Sequence, residues 1–341
     1  MRVWQRLLSL TAVIIWPAIG SASQCIDVPS PPRTPYTSAA DYATSPFGLD
    51  DNGILYRDYG RAYGGLGRFH NPYFIAQYAA ALYRDFMGSG CQDSGLRQQF
   101  LLQSEWLLKN AVQRGEALVW TYPFRNEHYD LQPGWISGIT QARVALVLLR
   151  ASLLTGDDRF RVAADRAMFP YLTSLQDGGV VSNDDGVAWL EEAPHPTGKS
   201  FKILNGHITA IGNIKDYYEL THDQRWMELY ERAIAAVRRD LSKFDAGFTS
   251  LYSLDSSRGR ITAELGGGYN ALHIEQLLWM YEETKDSIYL DYAALFRGYE
   301  KNADVYTAMG SINEKSHGPS QAKALYKSAY WVTPPFRPGF V

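Results

Sequence analysis

The chain has little of what would commit it to the commoner chemistries. Its 341 residues contain two cysteines, Cys25 and Cys91, and no ligating cluster accompanies either, which argues against a thiolate metal site. His, Asp and Glu show no metal-ligand spacing, and no dinucleotide-type glycine fingerprint occurs, so no metal and no other cofactor is expected. Blocks of Lys and Arg are absent and the formal net charge is −3, which argues against a nucleic-acid partner. The apolar run at residues 7–19 is shorter than a comfortable membrane span. It follows the basic start Met1-Arg2-Val3-Trp4-Gln5-Arg6 and precedes Gly20-Ser21-Ala22-Ser23, the order of a secretory signal peptide. Residues 1–23 are therefore expected to export the protein, secreted or periplasmic, with an uncleaved anchor as the other reading. In an exported chain the cysteine pair allows a Cys25–Cys91 disulfide, tying the N-terminal arm to the first helical hairpin.

What is abundant is apolar and aromatic. At 46% hydrophobic the chain can bury a sizeable core. Its nine Trp and 23 Tyr suit a carbohydrate-handling surface, because flat amphipathic rings stack on sugar C–H faces; helical cores use aromatics as well. Residues 24–67, rich in Pro, Ser, Gly and Tyr, read as an extended arm with a short hairpin around Asp51-Asn52-Gly53. From Asn71-Pro72 onward the period is helical, with Phe74, Tyr78, Ala81 and Leu82 on one face.

A repeat then emerges. Thr155-Gly156-Asp157, Thr221-His222-Asp223 and Thr284-Lys285-Asp286 each end one helical pattern and place an Asp to cap the next. They recur roughly every 63–66 residues, with Asp93 one interval upstream, the signature of stacked helical hairpins. The expected fold is mainly α, an incomplete (α/α) toroid over residues 68–305 with a C-terminal extension at 306–341. The segments joining successive hairpins, 117–138, 186–206 and 245–270, are too long for simple connections and would meet on one rim.

These segments hold the candidate site. The last runs through Tyr252, Arg258 and Arg260 to glycines 266–268, then Tyr269, Asn270 and, one turn on, His273. Glycines there permit close backbone approach, and so much chemistry around one hinge points to function. The first carries Arg125, which could clamp a carboxylate bidentately or simply be solvated. It also carries Asn126, and Trp135, which could stack on a sugar or anchor the loop. The middle segment holds Glu191-Glu192, adjacent residues that do not point the same way, so one at most faces a ligand. Lys199 could pair with an acidic substrate or be a surface lysine.

Three runs carry a resemblance. Asn71-Pro72-Tyr73-Phe74-Ile75-Ala76-Gln77-Tyr78, Leu131-Gln132-Pro133-Gly134-Trp135 with Gln141, and Leu204-Asn205-Gly206-His207 with Asp216-Tyr217-Tyr218 resemble the C-terminal catalytic domain of glucuronyl C5-epimerases, in order and over roughly residues 71–300. The resemblance implies a D-glucuronate to L-iduronate epimerase acting on a heparosan-like acidic polysaccharide, here in a helical version with a short N-terminal arm. It places catalytic roles on Tyr252, on Tyr269 before His273-Ile274-Glu275-Gln276-Leu277, and on Glu192. Arg125, Asn126, Trp135, Gln141, Lys199, Asn205, Asn270 and His273 are the expected substrate-binding set, and a homodimer is compatible with the chain. Two departures stand out. Ala193 occupies the position of a third family tyrosine, and Asp255 lies where an arginine follows the first.

Epimerisation removes the proton α to a carboxylate and returns one to the other face. Charge builds on the carboxyl oxygens, so cations and hydrogen-bond donors are needed there, along with acid–base groups such as tyrosine. A polysaccharide lyase begins with the same abstraction, and helical toroids serve both. A non-catalytic polysaccharide-binding component of an export apparatus is the third reading.

Overall fold

The computed structural model describes residues 38–247, 249–255 and 269–300. The expected signal peptide, Cys25, Arg258, Arg260, glycines 266–268 and the expected C-terminal extension lie outside the described residues; Cys91 is not a free thiol. The described part of the arm is more ordered than an extended strap. β1 (Phe47–Leu49) and β2 (Leu55–Asp58) form the hairpin read at Asp51-Asn52-Gly53, and β3 (Arg68–Phe69), reached through the single turn α1 (Ala62–Gly65), completes a three-stranded antiparallel sheet.

The remainder is mainly helical. Four hairpins follow, α2 (Pro72–Gly88) with α3 (Ser94–Lys109), α4 (Gly138–Thr155) with α5 (Asp158–Met168), α6 (Leu204–Thr221) with α7 (Gln224–Asp240), and α8 (Tyr269–Thr284) with α9 (Ser287–Glu300). Short antiparallel pairs sit between hairpins: β4 (Val112–Arg114) with β5 (Ala117–Val119), β6 (Thr121–Tyr122) with β7 (Trp135–Ile136), and β8 (Val181–Asp184) with β9 (Val187–Leu190). The first helix of each hairpin packs on the next, α2 on α4, α4 on α6 and α6 on α8, with its partner alongside.

Local chemistry explains the repeated turns. In each of the three the threonine hydroxyl donates to the carbonyl four residues back, Thr155 to Ala151, Thr221 to Tyr217 and Thr284 to Met280, all at 2.7 Å. The same oxygen accepts the N–H of the aspartate two residues on. Between them Gly156, His222 and Lys285 take left-handed φ of 73, 55 and 57°. Each aspartate then caps the following helix, which is worth about 1 kcal/mol per cap.

Burial sorts the two layers. Outer α7 hides one stripe, Trp226, Leu229, Ala233, Ala236 and Val237, as the helical period demands. Inner α4 is buried along most of its length, because α2, α5 and α6 all pack against it. It is apolar enough to cross a membrane by length and composition, yet its surroundings are other helices. The four inner helices begin at one end of the molecule, and there the inter-hairpin segments gather.

Candidate active site

At that end lies a cavity of about 380 Å³. Each inner helix contributes its first turn: Asn71 and Tyr73 from α2, Ser137 and Ile139 from α4, Asn205 from α6, and Tyr269 and Leu272 from α8. The connecting segments add Glu192, Ala193, Asn126, Trp135 and Tyr252. All three residues expected to be catalytic, Tyr252, Tyr269 and Glu192, therefore border one space.

Glu192 is held there by its neighbours. β9 is fixed to α6 through His207, whose Nδ1 accepts the N–H of Leu190 at 2.9 Å while Nε2 meets the Ala233 carbonyl at 3.1 Å. That carbonyl can only accept, so the proton sits on Nε2. Burial pushes the imidazole down to about 3, so it is neutral. Trp189 stacks on the same ring, with centroids 4.0 Å apart. Glu191 turns inward. Its carboxylate accepts from the Ser200 hydroxyl and from the N–H groups of Phe201 and Lys202, which pins the loop. Glu192 then faces the cavity and lies against Gly206 on α6, where an added Cβ would stand 2.2 Å from Oε2. Only glycine leaves room for that carboxyl. On the other side the α4 N-terminus abuts the same pair, the N–H of Gly138 donating to the Glu192 carbonyl at 3.1 Å.

The three candidates form a chain. Tyr252 and Tyr269 contact edge to face, with ring centroids 4.5 Å apart. The Tyr252 hydroxyl touches both the Glu192 carboxyl and the Tyr269 hydroxyl. Its one proton serves one acceptor at a time, and an ionised carboxylate is the stronger; Tyr269 then donates to Tyr252. Burial, reinforced by the charge of Glu191, raises Glu192 to about 7. Burial and then the Glu192 charge raise the Tyr269 phenol, so it stays protonated at neutral pH. The chain thus pairs a carboxyl poised between its two states with a phenol able to donate.

A second wall was missed by sequence reasoning. Arg57, Tyr59 and Tyr63 of the N-terminal arm, with Tyr122 of β6, line the cavity. The N-cap Asn71 donates to the Tyr59 hydroxyl at 2.7 Å, and Tyr122 bonds Thr140 at 2.8 Å. Trp135 stacks on Tyr122 with centroids 4.1 Å apart and donates to the Phe124 carbonyl, so it both lines the cavity and anchors its loop. The signal available was the aromatic density of the arm after an alternating strand.

Of the expected binding set, Asn126, Trp135 and Asn205 reach the cavity, and Asn205 keeps a buried Oδ1 without a partner. The other five do not line it. Arg125 pairs with Asp130 at 2.5 Å with its side chain 55% exposed, since the antiparallel Asn126–Leu131 bridge closes that loop and brings the two together on the surface. Lys199 pairs with Asp255 at 3.0 Å and lies over the Phe201 ring. Gln141 is buried in α4, bonded to the backbone of Trp120, Leu118 and Ala167. Asn270 accepts from Ser250 and donates to Phe296. His273 faces Ser250 at 2.7 Å rather than the phenol, and burial lowers it to about 3. These helix-borne polar groups hold the connecting segments to the helices. Among the described residues no group of three or more His, Cys, Asp or Glu could hold a metal ion.

Comparison with known proteins bears on this arrangement. The signature of the D-glucuronyl C5-epimerase C-terminus family matches residues 113–298, more than half of the chain. An uncharacterized protein of Methanocaldococcus jannaschii is 29% identical over 184 residues, 53% of this chain and 57% of its own. The D-glucuronyl C5-epimerase of Caenorhabditis elegans is 27% identical over 217 residues, 59% of this chain and 34% of that protein. The chain thus spans about half and about a third of the two relatives' lengths. Among solved structures, a GH76 alpha-mannanase of Bacteroides thetaiotaomicron aligns over 74% of this chain and 63% of its own, with TM-score 0.46 and 11% identity. A Listeria innocua protein aligns over 75% and 70%, with TM-score 0.40 and 14% identity.

Proposed function

We propose, for a chain that belongs to the D-glucuronyl C5-epimerase C-terminus family, that it epimerises D-glucuronate to L-iduronate within a heparosan-like polysaccharide, on an incomplete (α/α) toroid. The observation that carries this reading is the Glu192–Tyr252–Tyr269 chain at the mouth of the inner helices. Ionised Glu192 accepts a proton passed through the Tyr252 hydroxyl as C5 is deprotonated. Tyr269, held as the neutral phenol, returns a proton to the opposite face. The two hydroxyls share a hydrogen bond, so the pyranose enters between them and replaces it. Glu192 near 7 suits this role, because an acid–base group works best with its pKa close to the working pH. The loss of a third tyrosine at Ala193 is consistent with a cavity already rich in phenols, Tyr59, Tyr73 and Tyr122 among them.

The test is incubation of the protein with heparosan in deuterium oxide. Deuterium at C5 with chain length unchanged supports the epimerase. An unsaturated, ultraviolet-absorbing product would instead identify a lyase, and binding with neither change a carbohydrate-binding protein. Export by the N-terminal segment and the Cys25–Cys91 bridge belong to the same proposal, and fit a protein acting on an extracellular or periplasmic polymer.

A further inference from the structure

The described lining of the cavity brings a fixed positive charge, Arg57, to an aromatic wall. Among its described lining residues Arg57 is the sole arginine or lysine and Glu192 the sole carboxylate. Arg57 stands on β2, opposite Phe47 of β1 and Phe69 of β3. Its guanidinium lies 4.9 Å from the ring centroids of both Tyr59 and Phe74. No carboxylate among the described residues pairs with it, and its Nε is buried without an acceptor. One of its N–H groups meets the Tyr59 hydroxyl, and cation–π contact spends none of the remaining in-plane donors, so the guanidinium keeps capacity for an anion. Those donors match a planar carboxylate.

We infer that Arg57 is the carboxylate anchor of this cavity, binding the C5 carboxylate of a uronate residue and selecting acidic over neutral sugars. The inference rests on the uronate reading above. Two features of the site call for such a group. A uronate entering beside ionised Glu192 brings a second negative charge into a buried space, which a nearby cation offsets. Deprotonation at C5 then moves more charge onto the same carboxylate, so the contact strengthens as the reaction proceeds. Asp255 stands where an arginine was expected after Tyr252, and its carboxylate is engaged by Lys199. Among the described residues, the N-terminal arm supplies the positive charge at this cavity.

The experiment measures binding of heparosan oligosaccharides and their carboxyl-reduced counterparts by calorimetry, with C5 exchange followed in parallel. The parent should prefer the acidic ligand by about 10- to 100-fold, the scale of a hydrogen bond to a charged group. Arg57→Gln should lose that factor on the acidic ligand and keep its affinity for the reduced one. Arg57→Met, which retains an apolar stem against the rings, should do the same and serves if the glutamine variant does not fold. A variant that keeps the preference, or that weakens both ligands equally, overturns the anchor and makes Arg57 a packing residue. A preference that resides on Arg57 without any C5 exchange upholds the anchor and sinks the epimerase reading. C5 exchange at unchanged KM in the variant sinks the anchor and leaves the epimerase reading standing.

Discussion

Glu192→Gln should make the protein more stable and less active at once, and only above a defined pH. In the folded chain burial raises this carboxyl from 4.5 to about 7. A group whose folded pKa is raised contributes stability that is complete below the unfolded value and is lost as pH rises through the folded one. The raised pKa of Glu192 therefore works against folding at pH 8, and below pH 4.5 it does not. At about 1.4 kcal/mol per pH unit the displacement corresponds to an upper bound of about 3 kcal/mol. Because the side chain borders cavity water, about 1–2 kcal/mol is the figure to expect. Glutamine fills the same space against Gly206 and never carries the charge. Thermal unfolding followed by circular dichroism should place the variant about 2–5 °C above the parent at pH 8, with the two coinciding at about pH 4, below the unfolded value. C5 exchange should fall by about 10²-fold or more, the usual scale of acid–base catalysis. A variant that melts lower at pH 8, or that differs by the same amount at both pH values, would refute the assignment of a strained, cavity-facing carboxyl.

Glu191→Ala should do the reverse, lowering the melting temperature at neutral pH, since it leaves the Ser200, Phe201 and Lys202 donors unpaired. A loss of about 2–4 kcal/mol is expected, and an unchanged melt would count against the loop clamp. Gly206→Ala should cut C5 exchange by at least about 10-fold with a near-parental circular dichroism spectrum, because the new methyl occupies the place of the Glu192 carboxyl and a displacement of about 1 Å is enough to cost catalysis. Full activity in that variant would show that Glu192 does not need its present position.

The parts of this molecule that were legible in the sequence are those whose cause is local. The Thr-x-Asp turns could be read because every bond in them spans four residues or fewer, and they set the hairpin repeat. The opposite facing of Glu191 and Glu192 followed from their being adjacent, just past the end of β9. The cavity's second wall was not legible. Arg57 and Tyr59 reach it only because the β1–β2–β3 sheet folds back over the start of α2, a contact that no local pattern encodes. Gln141, Asn270 and His273 erred the other way. Their chemistry suited a sugar, but a helix has several faces, and theirs turn to neighbouring segments, Gln141 and Asn270 to backbone groups and His273 to the Ser250 hydroxyl. Exposure near zero for Gln141 and His273 shows what the side chains are for: they bond groups that the long connections would otherwise leave unpaired.

Tyr269→Phe tests the central claim most directly, because it removes one hydroxyl from the Glu192–Tyr252–Tyr269 chain and leaves the ring against Tyr252 in place. The measurement is the rate of deuterium incorporation at C5 of a heparosan chain, on protein shown by circular dichroism to be folded. Proton return by Tyr269 predicts a fall of about 10²-fold or more. A folded Tyr269→Phe protein that exchanges C5 at the parent rate would contradict the account and reduce Tyr269 to packing.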